Sequence, residues 1–140
     1  MAKSNQLARF EARMNAIPKA VREAVQPALA KNADELASAM KHLAEPSRDT
    51  GALIDSIHAT LPGERTPPYS QPGGNQTASE LEALVTAGNS EVRYAHLVEY
   101  GTSDTDAQPF FWPSVRLLKK RLNNRMKRAI SKAVRTKWDQ

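Results

Sequence analysis

Cysteine is absent from the 140-residue chain, so disulfide bonds, thiolate metal sites and cysteine nucleophiles are all excluded. Aromatic residues are scarce, at 6% of the chain. No apolar run approaches the roughly 20 residues that a transmembrane helix needs, and the first residues lack the apolar segment of a secretory signal peptide. We therefore expect a soluble protein suited to a reducing compartment, with a small core or with a core completed in an oligomer.

Acidic residues are nearly absent from the last part of the chain. Residues 1–110 carry 10 basic and 14 acidic side chains, whereas residues 111–140 carry 10 basic and 1 acidic. The two parts together give the net charge of +5. A basic segment of this kind is typical of a protein that binds nucleic acid, of one that binds an acidic protein, and of a helix with a solvated basic face.

Patterns typical of catalysis or metal binding are also missing. His42, His58 and His96 lie far apart without metal-ligand spacing. The sequence has no GxSxG, no phosphate-binding GxxxxGK and no HExxH. Asp104 and Asp106 form a closely spaced carboxylate pair, but they lie in a polar segment where Asx turns are the expected role. We therefore predict no catalytic residue, no metal and no cofactor.

Helical periodicity dominates both ends of the chain. It predicts N-terminal helices over about 4–44, with Pro18 beginning a second helix and Pro27 kinking or splitting it. It also predicts one C-terminal helix over about 114–138, with an apolar stripe and a basic remainder. The apolar positions that define the first helix are Leu7, Phe10, Met14 and Ile17.

Two short strands are predicted between the helices, at residues 56–61 and 80–87. Residues 62–77 separate them and contain four Pro and three Gly, a composition that leaves no regular element. We expect an antiparallel hairpin whose long loop is mobile in the free subunit and ordered on assembly. As interface residues in this loop we predict Arg65, Pro67, Pro68 and Tyr69.

Residues 93–113 are the segment around which the rest of the chain is organised. They hold two of the three Tyr, two of the three Phe and one of the two Trp. Gly101 is expected to turn the chain with a positive φ. Four apolar residues before this turn are expected to pack against Phe110 and the C-terminal helix: Tyr94, Leu97, Val98 and Tyr100.

These observations predict a single α+β domain over residues 1–140. The N-terminal helices occupy about 4–44. A small, mostly antiparallel sheet with the long-loop hairpin occupies about 52–100, and the long basic helix occupies about 114–138.

Three motifs resemble those of head–tail joining proteins of tailed phages. Residues 44–57 resemble a helix followed by Pro and TG-x-L-x-x-S-I, residues 94–102 resemble YA-x-x-V-E-[FY]-GT, and residues 107–113 resemble A-x-PF-x-x-P. In this order and spacing they are similar to the tail-completion family of long-tailed siphophages, which also resembles the minor tail protein Z of phage lambda. The residues that the resemblance marks as structural are Gly51, Tyr94, Glu99, Gly101, Thr102, Pro109, Phe110 and Pro113.

The resemblance implies a structural virion protein without enzymatic activity. It implies a homo-oligomer, a hexameric ring, that contacts the tail tube protein on one face and the head connector or stopper protein on the other. DNA would pass through the ring without specific binding, and no membrane is involved. The subunit would lie at the head–tail junction of the virion, and in the host cytoplasm during assembly. The resemblance allows three connector layers for this subunit: tail terminator, tail completion and stopper.

The basic helix is expected to contact acidic residues of an adjacent copy. We predict Arg121, Arg125, Arg128 and Lys132 as its interface residues. The expected acidic partners on the adjacent copy are Glu80, Glu82, Asp104 and Asp106. The alternative is a nucleic-acid-binding protein that uses the same helix. A small regulatory interaction module is a third class, supported by size alone.

Overall fold

The computed structural model describes residues 2–47, 51–72, 74–104 and 106–139. It has the predicted α+β architecture, with a long helix at each end and a two-stranded antiparallel sheet between them. The elements are α1 (Ala2–Ala44), a 3₁₀ turn (Glu45–Ser47), α2 (Ala52–Asp55), β1 (His58–Thr60), β2 (Leu84–Thr86), α3 (Ala95–Tyr100) and α4 (Phe111–Trp138).

The two long helices pack against each other in an antiparallel pair. Near the start of α1, the Phe10 ring meets the Trp138 ring edge-on at 5.9 Å between centroids. In the second half of α1, the Asn32 side chain donates to the Leu122 carbonyl oxygen of α4 at 3.2 Å. We call α1 and α4 together the helical pair.

The predicted division of the N-terminal helix is wrong, because α1 runs without interruption through Pro18 and Pro27. A proline inside a helix removes one backbone hydrogen bond and adds a steric clash. Ala20, Val25 and Ala33 are nevertheless buried along α1. Tertiary packing of this face stabilises the helix more than the two prolines weaken it.

The apolar core lies at one end of the helical pair, where α1 ends and α4 begins. Phe110 and Met40 are its largest fully enclosed side chains. The partly buried Val98 and Val115 pack against it. The buried members are Ala37, Met40, Ala44, Leu53, Ile54, Ile57, Ala87, Val92, Ala95, Phe110 and Phe111. We call the small elements around this core, formed by the described residues between 45 and 110, the head of the molecule.

The antiparallel pairing of the two predicted strands is confirmed, with His58 opposite Thr86 and Thr60 opposite Leu84. Both strands are shorter than predicted. Before them, Gly51 adopts φ 86° at the start of α2, although Asp49 and Thr50 of the predicted turn lie outside the described residues.

The serine of the first motif joins α2 to the end of the sheet. The buried Ser56 hydroxyl donates to the Leu53 carbonyl oxygen at 2.6 Å. It also accepts the backbone N–H of Gly88 at 2.9 Å, 32 residues away. A buried hydroxyl with both a donor and an acceptor partner rigidifies this junction.

The long loop folds back on itself and does not extend freely. Thr66 N–H donates to the Gln76 carbonyl oxygen at 2.8 Å, and Gln71 pairs with Ala87 beyond β2. The side chains of Thr66 and Ser70 are buried. The absence of helix and strand was predicted correctly. The loop pairs part of its own backbone and buries part of itself, and its mobility in the free subunit stays a prediction.

Candidate functional site

The first turn of α4 is capped by a carboxylate that comes from α3. Glu99 is 7% exposed, and its Oε1 accepts the backbone N–H groups of Phe110 at 2.9 Å and Phe111 at 2.8 Å. Its Oε2 accepts the N–H of Trp112 at 3.2 Å. Hydrogen bonds to an ionised acceptor are stronger than neutral ones, and a carboxylate at a helix N-terminus also interacts favourably with the helix dipole.

This cap accounts for every unpaired donor at the start of α4. A helix leaves its first four backbone N–H groups without an intrahelical partner. Three of them donate to Glu99, and the fourth position is Pro113, which has no N–H. Ser114, the next residue, is buried, and its hydroxyl donates to the Phe110 carbonyl oxygen at 2.7 Å. The second and third motifs are therefore two halves of one structural unit.

The turn between α3 and α4 brings the carboxylate to its donors. Gly101 has φ 77° and ψ 176°, a backbone conformation that is essentially restricted to glycine. The prediction of a positive φ at Gly101 is confirmed. The chain then returns, and Gln108 N–H donates to the Val98 carbonyl oxygen at 2.8 Å.

One side of α3 faces outward, contrary to the predicted packing of its apolar residues. Tyr94 and Leu97 are exposed, and Tyr100 is 68% exposed. Only Val98 of the predicted set packs against the core. The Glu99 side of the helix faces inward, where its carboxylate meets the start of α4, and the large apolar side chains lie on the exposed side.

A tryptophan of α4 extends this outward face of α3. The Trp112 indole Nε1 donates to the Tyr100 hydroxyl at 2.7 Å, and the Trp112 side chain is itself exposed. We call the four residues the head surface: Tyr94, Leu97, Tyr100 and Trp112.

A second exposed apolar surface lies at the opposite end of the helical pair. Six large apolar side chains there are each between 37% and 57% exposed. The N-terminal periodicity predicted an inward-facing stripe, but the core ends before this region and no layer covers it among the described residues. We call this set the distal surface: Leu7, Phe10, Met14, Ile130, Val134 and Trp138.

Two of the four arginine and lysine residues predicted for the interface are paired within the chain. The Arg125 guanidinium lies 2.7 Å from one Glu35 carboxylate oxygen, and Arg121 lies 2.9 Å from the other. Arg125 also donates to Asn32 Oδ1 at 2.8 Å, and its side chain is only 14% exposed. Glu35 of α1 supplies a counter-charge to both arginines within the chain, and their contact with an adjacent copy stays a prediction.

The remaining two basic residues, Arg128 and Lys132, are exposed on α4. They lie on the part of α4 that carries the distal surface. Glu35 and Asn32, which hold the paired arginines, were missed by the sequence analysis. The available signal was the pair of acids Asp34 and Glu35 in the second half of α1, where few other carboxylates could neutralise α4.

We expect the Glu35 pairing to give stability that depends on pH. The hydrogen bond from Arg125 lowers the pKa of Glu35 below its ordinary value of 4.5, and Arg121 and Lys31 lower it further, while burial partly opposes them. Because the pKa is lower in the folded state, the contribution is complete above pH 4.5 and is lost as the pH falls through the folded value.

Urea unfolding from about pH 7 to about pH 3 checks this prediction. The difference in unfolding free energy between the native chain and Glu35→Gln should be constant above pH 4.5 and shrink below it. A difference that stays constant down to the lowest pH would contradict a lowered pKa for Glu35.

A family model described as "Bacteriophage HK97-gp10, putative tail-component" matches residues 8–101 of the chain. The chain belongs to the HK97-gp10-like family. The resemblance to a phage head–tail joining family is thereby confirmed, and the family gives the protein a structural role in a phage tail. Searches of curated proteins and of solved structures found no match.

The region matched by the HK97-gp10-like family ends at the turn after the Glu99 carboxylate. It includes α1 from residue 8 onward, both strands, α3 and Gly101. The basic α4 lies beyond the match, so the strongest charge asymmetry of the chain falls outside it. Glu99 is therefore a matched residue whose hydrogen-bond partners follow the match.

The long loop of this family member presents its predicted interface residues on the surface. Arg65, Pro68 and Tyr69 are exposed, and Pro67 is half-buried. Tyr69 adopts φ 64°, and the Arg93 guanidinium carbon lies 4.0 Å from the centre of its ring. A cation placed over an aromatic face at this distance is attracted to the ring and holds it in place. Whether these residues contact a partner stays a prediction.

Two further motif residues lie on the surface. Thr102 and Pro109 are exposed, and the Thr102 hydroxyl oxygen accepts the Asp104 N–H at 3.3 Å.

Among the described residues, no group of three or more His, Asp or Glu side chains is arranged to hold a metal ion. In the same part of the chain, no helix is both long enough and apolar enough to cross a membrane.

Proposed function

We propose that this protein is a subunit of a ring at the head–tail junction of a long-tailed phage or phage-like particle. In this role it acts as a tail-completion or tail-terminator protein that joins the tail tube to the head connector. The family supplies the phage tail context. The ring, its hexameric number and its two partner proteins are part of the proposal.

The observation that carries the proposal is the exposure of large apolar side chains on two separate surfaces. Trp112 of the head surface and Trp138 of the distal surface are both exposed, at opposite ends of α4. A rise of 1.5 Å per residue separates them by about 40 Å along the helix. Contiguous exposed apolar patches on a soluble chain are typical of protein–protein contact sites.

Two different surfaces on one subunit favour a head-to-tail contact over a self-complementary one. Contacts of this kind produce closed rings when the rotation between subunits closes. A ring whose subunits meet through side chains at their ends leaves its two remaining faces for the tube and the connector. Binding to DNA through α4 has less support, because Arg121 and Arg125 both pair with Glu35 within the chain.

Deletion of the gene from the phage or prophage genome that carries it tests the proposed function. We expect the deleted phage to produce DNA-filled heads and separate tails that electron microscopy shows as unjoined particles. Expression of the native chain from a plasmid should restore joined particles. Normal joined particles from the deleted phage would contradict the proposal.

DNA binding by the purified protein distinguishes the proposed function from the nucleic-acid-binding alternative. We expect weak binding to duplex DNA, without a preferred sequence. Tight binding with a steep dependence on salt concentration, together with normal particles after the gene is deleted, would favour the nucleic-acid function.

A further inference from the structure

The head and the helical pair carry opposite net charge. The described residues between 45 and 110, which form the head, contain 2 basic and 9 acidic side chains, a net charge of −7. The helical pair contains 17 basic and 4 acidic side chains, a net charge of +13. The net charge therefore changes sign between the head and the helical pair.

The basic charge surrounds the distal surface. Its apolar residues Phe10 and Trp138 are exposed, and so are the nearby cations of both helices. A second copy placed with its own distal surface here would bring like charges together, which is unfavourable. The exposed cations on this part of the helical pair are Arg9, Arg13, Lys127, Arg128, Lys132 and Arg135.

The acidic charge accompanies the head surface. Asp104 and Asp106 follow Tyr100 within six residues, and both are exposed. Glu91 is exposed shortly before Tyr94. Two exposed cations also lie close in the chain, Arg93 beside Tyr94 and Arg116 one turn after Trp112, but the net charge of the head is negative. The head therefore offers aromatic side chains together with carboxylates, which are the groups that an apolar surface surrounded by Arg and Lys would contact.

We propose that the distal surface of one copy docks on the head surface of a second copy of this chain. The inference rests on the proposed function and adds to it which surfaces meet. Phe10 and Trp138 supply the apolar contact, while Arg128 and Lys132 face Asp104 and Asp106 of the second copy. Each subunit keeps one surface of each kind, so the contact propagates from copy to copy until the ring closes.

The absence of cysteine allows a direct test by cross-linking. Two variants, Lys132→Cys and Asp104→Cys, are prepared separately, mixed, and treated with a short bis-maleimide. Both positions are exposed, so the substitutions should leave the fold intact. We expect a cross-linked dimer in the mixture and none from either variant alone. The double variant should give a ladder of higher oligomers.

A matched control uses Lys119→Cys in place of Lys132→Cys. Lys119 is also an exposed lysine of α4, but it lies nearer the start of the helix. It should give no cross-link with Asp104→Cys. Equal cross-linking of the control, or cross-linking of Lys132→Cys to itself, would overturn the proposed contact.

Charge exchange provides a second measurement. Arg128→Glu with Lys132→Glu, and separately Asp104→Lys with Asp106→Lys, should each reduce self-association at least tenfold, because like charges then face each other. The chain that carries all four changes should recover most of the association. No recovery in this chain, or loss of DNA binding as the only effect of the first pair, would overturn the inference.

The cross-linking is also carried out on particles assembled in cells, so the result does not depend on association of the free chain. Complementation of the gene deletion by the double-cysteine chain shows whether the protein acts in joining. Joined particles without the Lys132–Asp104 cross-link would reject this inference and keep the proposed function. Particles that join without the gene would reject the proposed function itself.

Discussion

Replacing Glu99 with alanine is expected to lower the free energy of unfolding by about 2–4 kcal/mol. The substitution removes the acceptor of three backbone N–H groups at the start of α4. Phe110 and Phe111 are buried, so water can replace the lost acceptor only in part. The first turn of α4 should then fray, and with it the attachment of the helix to the head.

Urea unfolding of the full chain measures this loss, and two variants serve as controls. Glu99→Gln keeps one side-chain oxygen acceptor but not the charge, so its loss should be smaller, about 1–2 kcal/mol. Glu91→Ala removes an exposed carboxylate from the same region and should change stability by about 0.5 kcal/mol or less. If Glu99→Ala were no more destabilising than Glu91→Ala, the capping role would be wrong.

Replacing Phe110 with alanine is expected to cost about 3–5 kcal/mol. Phe110 is 1% exposed and is the largest fully buried side chain in the described part of the chain. Its truncation loses the transfer free energy of a whole ring and leaves a cavity between α1, α2 and the start of α4. A domain of this size gains only about 5–15 kcal/mol on folding, so the loss is a large fraction of the total.

Tyr100→Ala is the matched aromatic control for this prediction. Tyr100 lies ten residues before Phe110, but it is 68% exposed. Its replacement removes the hydrogen bond that the Trp112 indole donates to the Tyr100 hydroxyl. We expect its thermal midpoint to stay within a few degrees of the native value, whereas Phe110→Ala should lower the midpoint by more than about 10 °C. If the two variants had similar thermal midpoints, the central place of Phe110 in the core would be wrong.

The fold was predictable where local pattern determines it. The apolar stripe of α4, the two short strands and the positive φ of Gly101 all follow from spacing and residue type within a few neighbours. The start of α4 was placed three residues late, at 114 instead of Phe111. The first turn of this helix contains no acidic residue of its own, and its cap comes from another helix.

Contacts between distant residues were not predictable in the same way. Arg125 and Glu35 are separated by 90 residues, and no local pattern indicates that they meet. The sequence showed an excess of cations on α4, which is equally consistent with an internal partner, a second copy or a polyanion. Only the antiparallel packing of the helical pair selects the internal partner for Arg125.

The apolar periodicity of the helices also led to a prediction of more buried side chains than the structure has. Leu7, Phe10 and Met14 repeat at helical spacing, and so do Tyr94 and Leu97, yet all five are exposed. A periodic pattern indicates that one side of a helix is apolar, but not which chain covers it. These mismatches are the residues that form the two proposed contact surfaces, so the failed part of the prediction is the part that bears on function.

The Glu99 cap connects stability to the proposed assembly. It fixes the start of α4 to α3, which carries the head surface, while the other end of α4 carries the distal surface. The two surfaces therefore keep a fixed separation and direction. A contact that must repeat from copy to copy with the same rotation needs this rigidity, because small variations would prevent the ring from closing.

Cryo-electron microscopy of the intact particle would show the proposed ring itself. We expect a closed ring of copies of this chain between the tail tube and the head connector. In that ring, the distal end of each helical pair should contact the head of the next copy. Density for the chain at another position of the particle, or its absence from joined particles, would contradict the proposed ring.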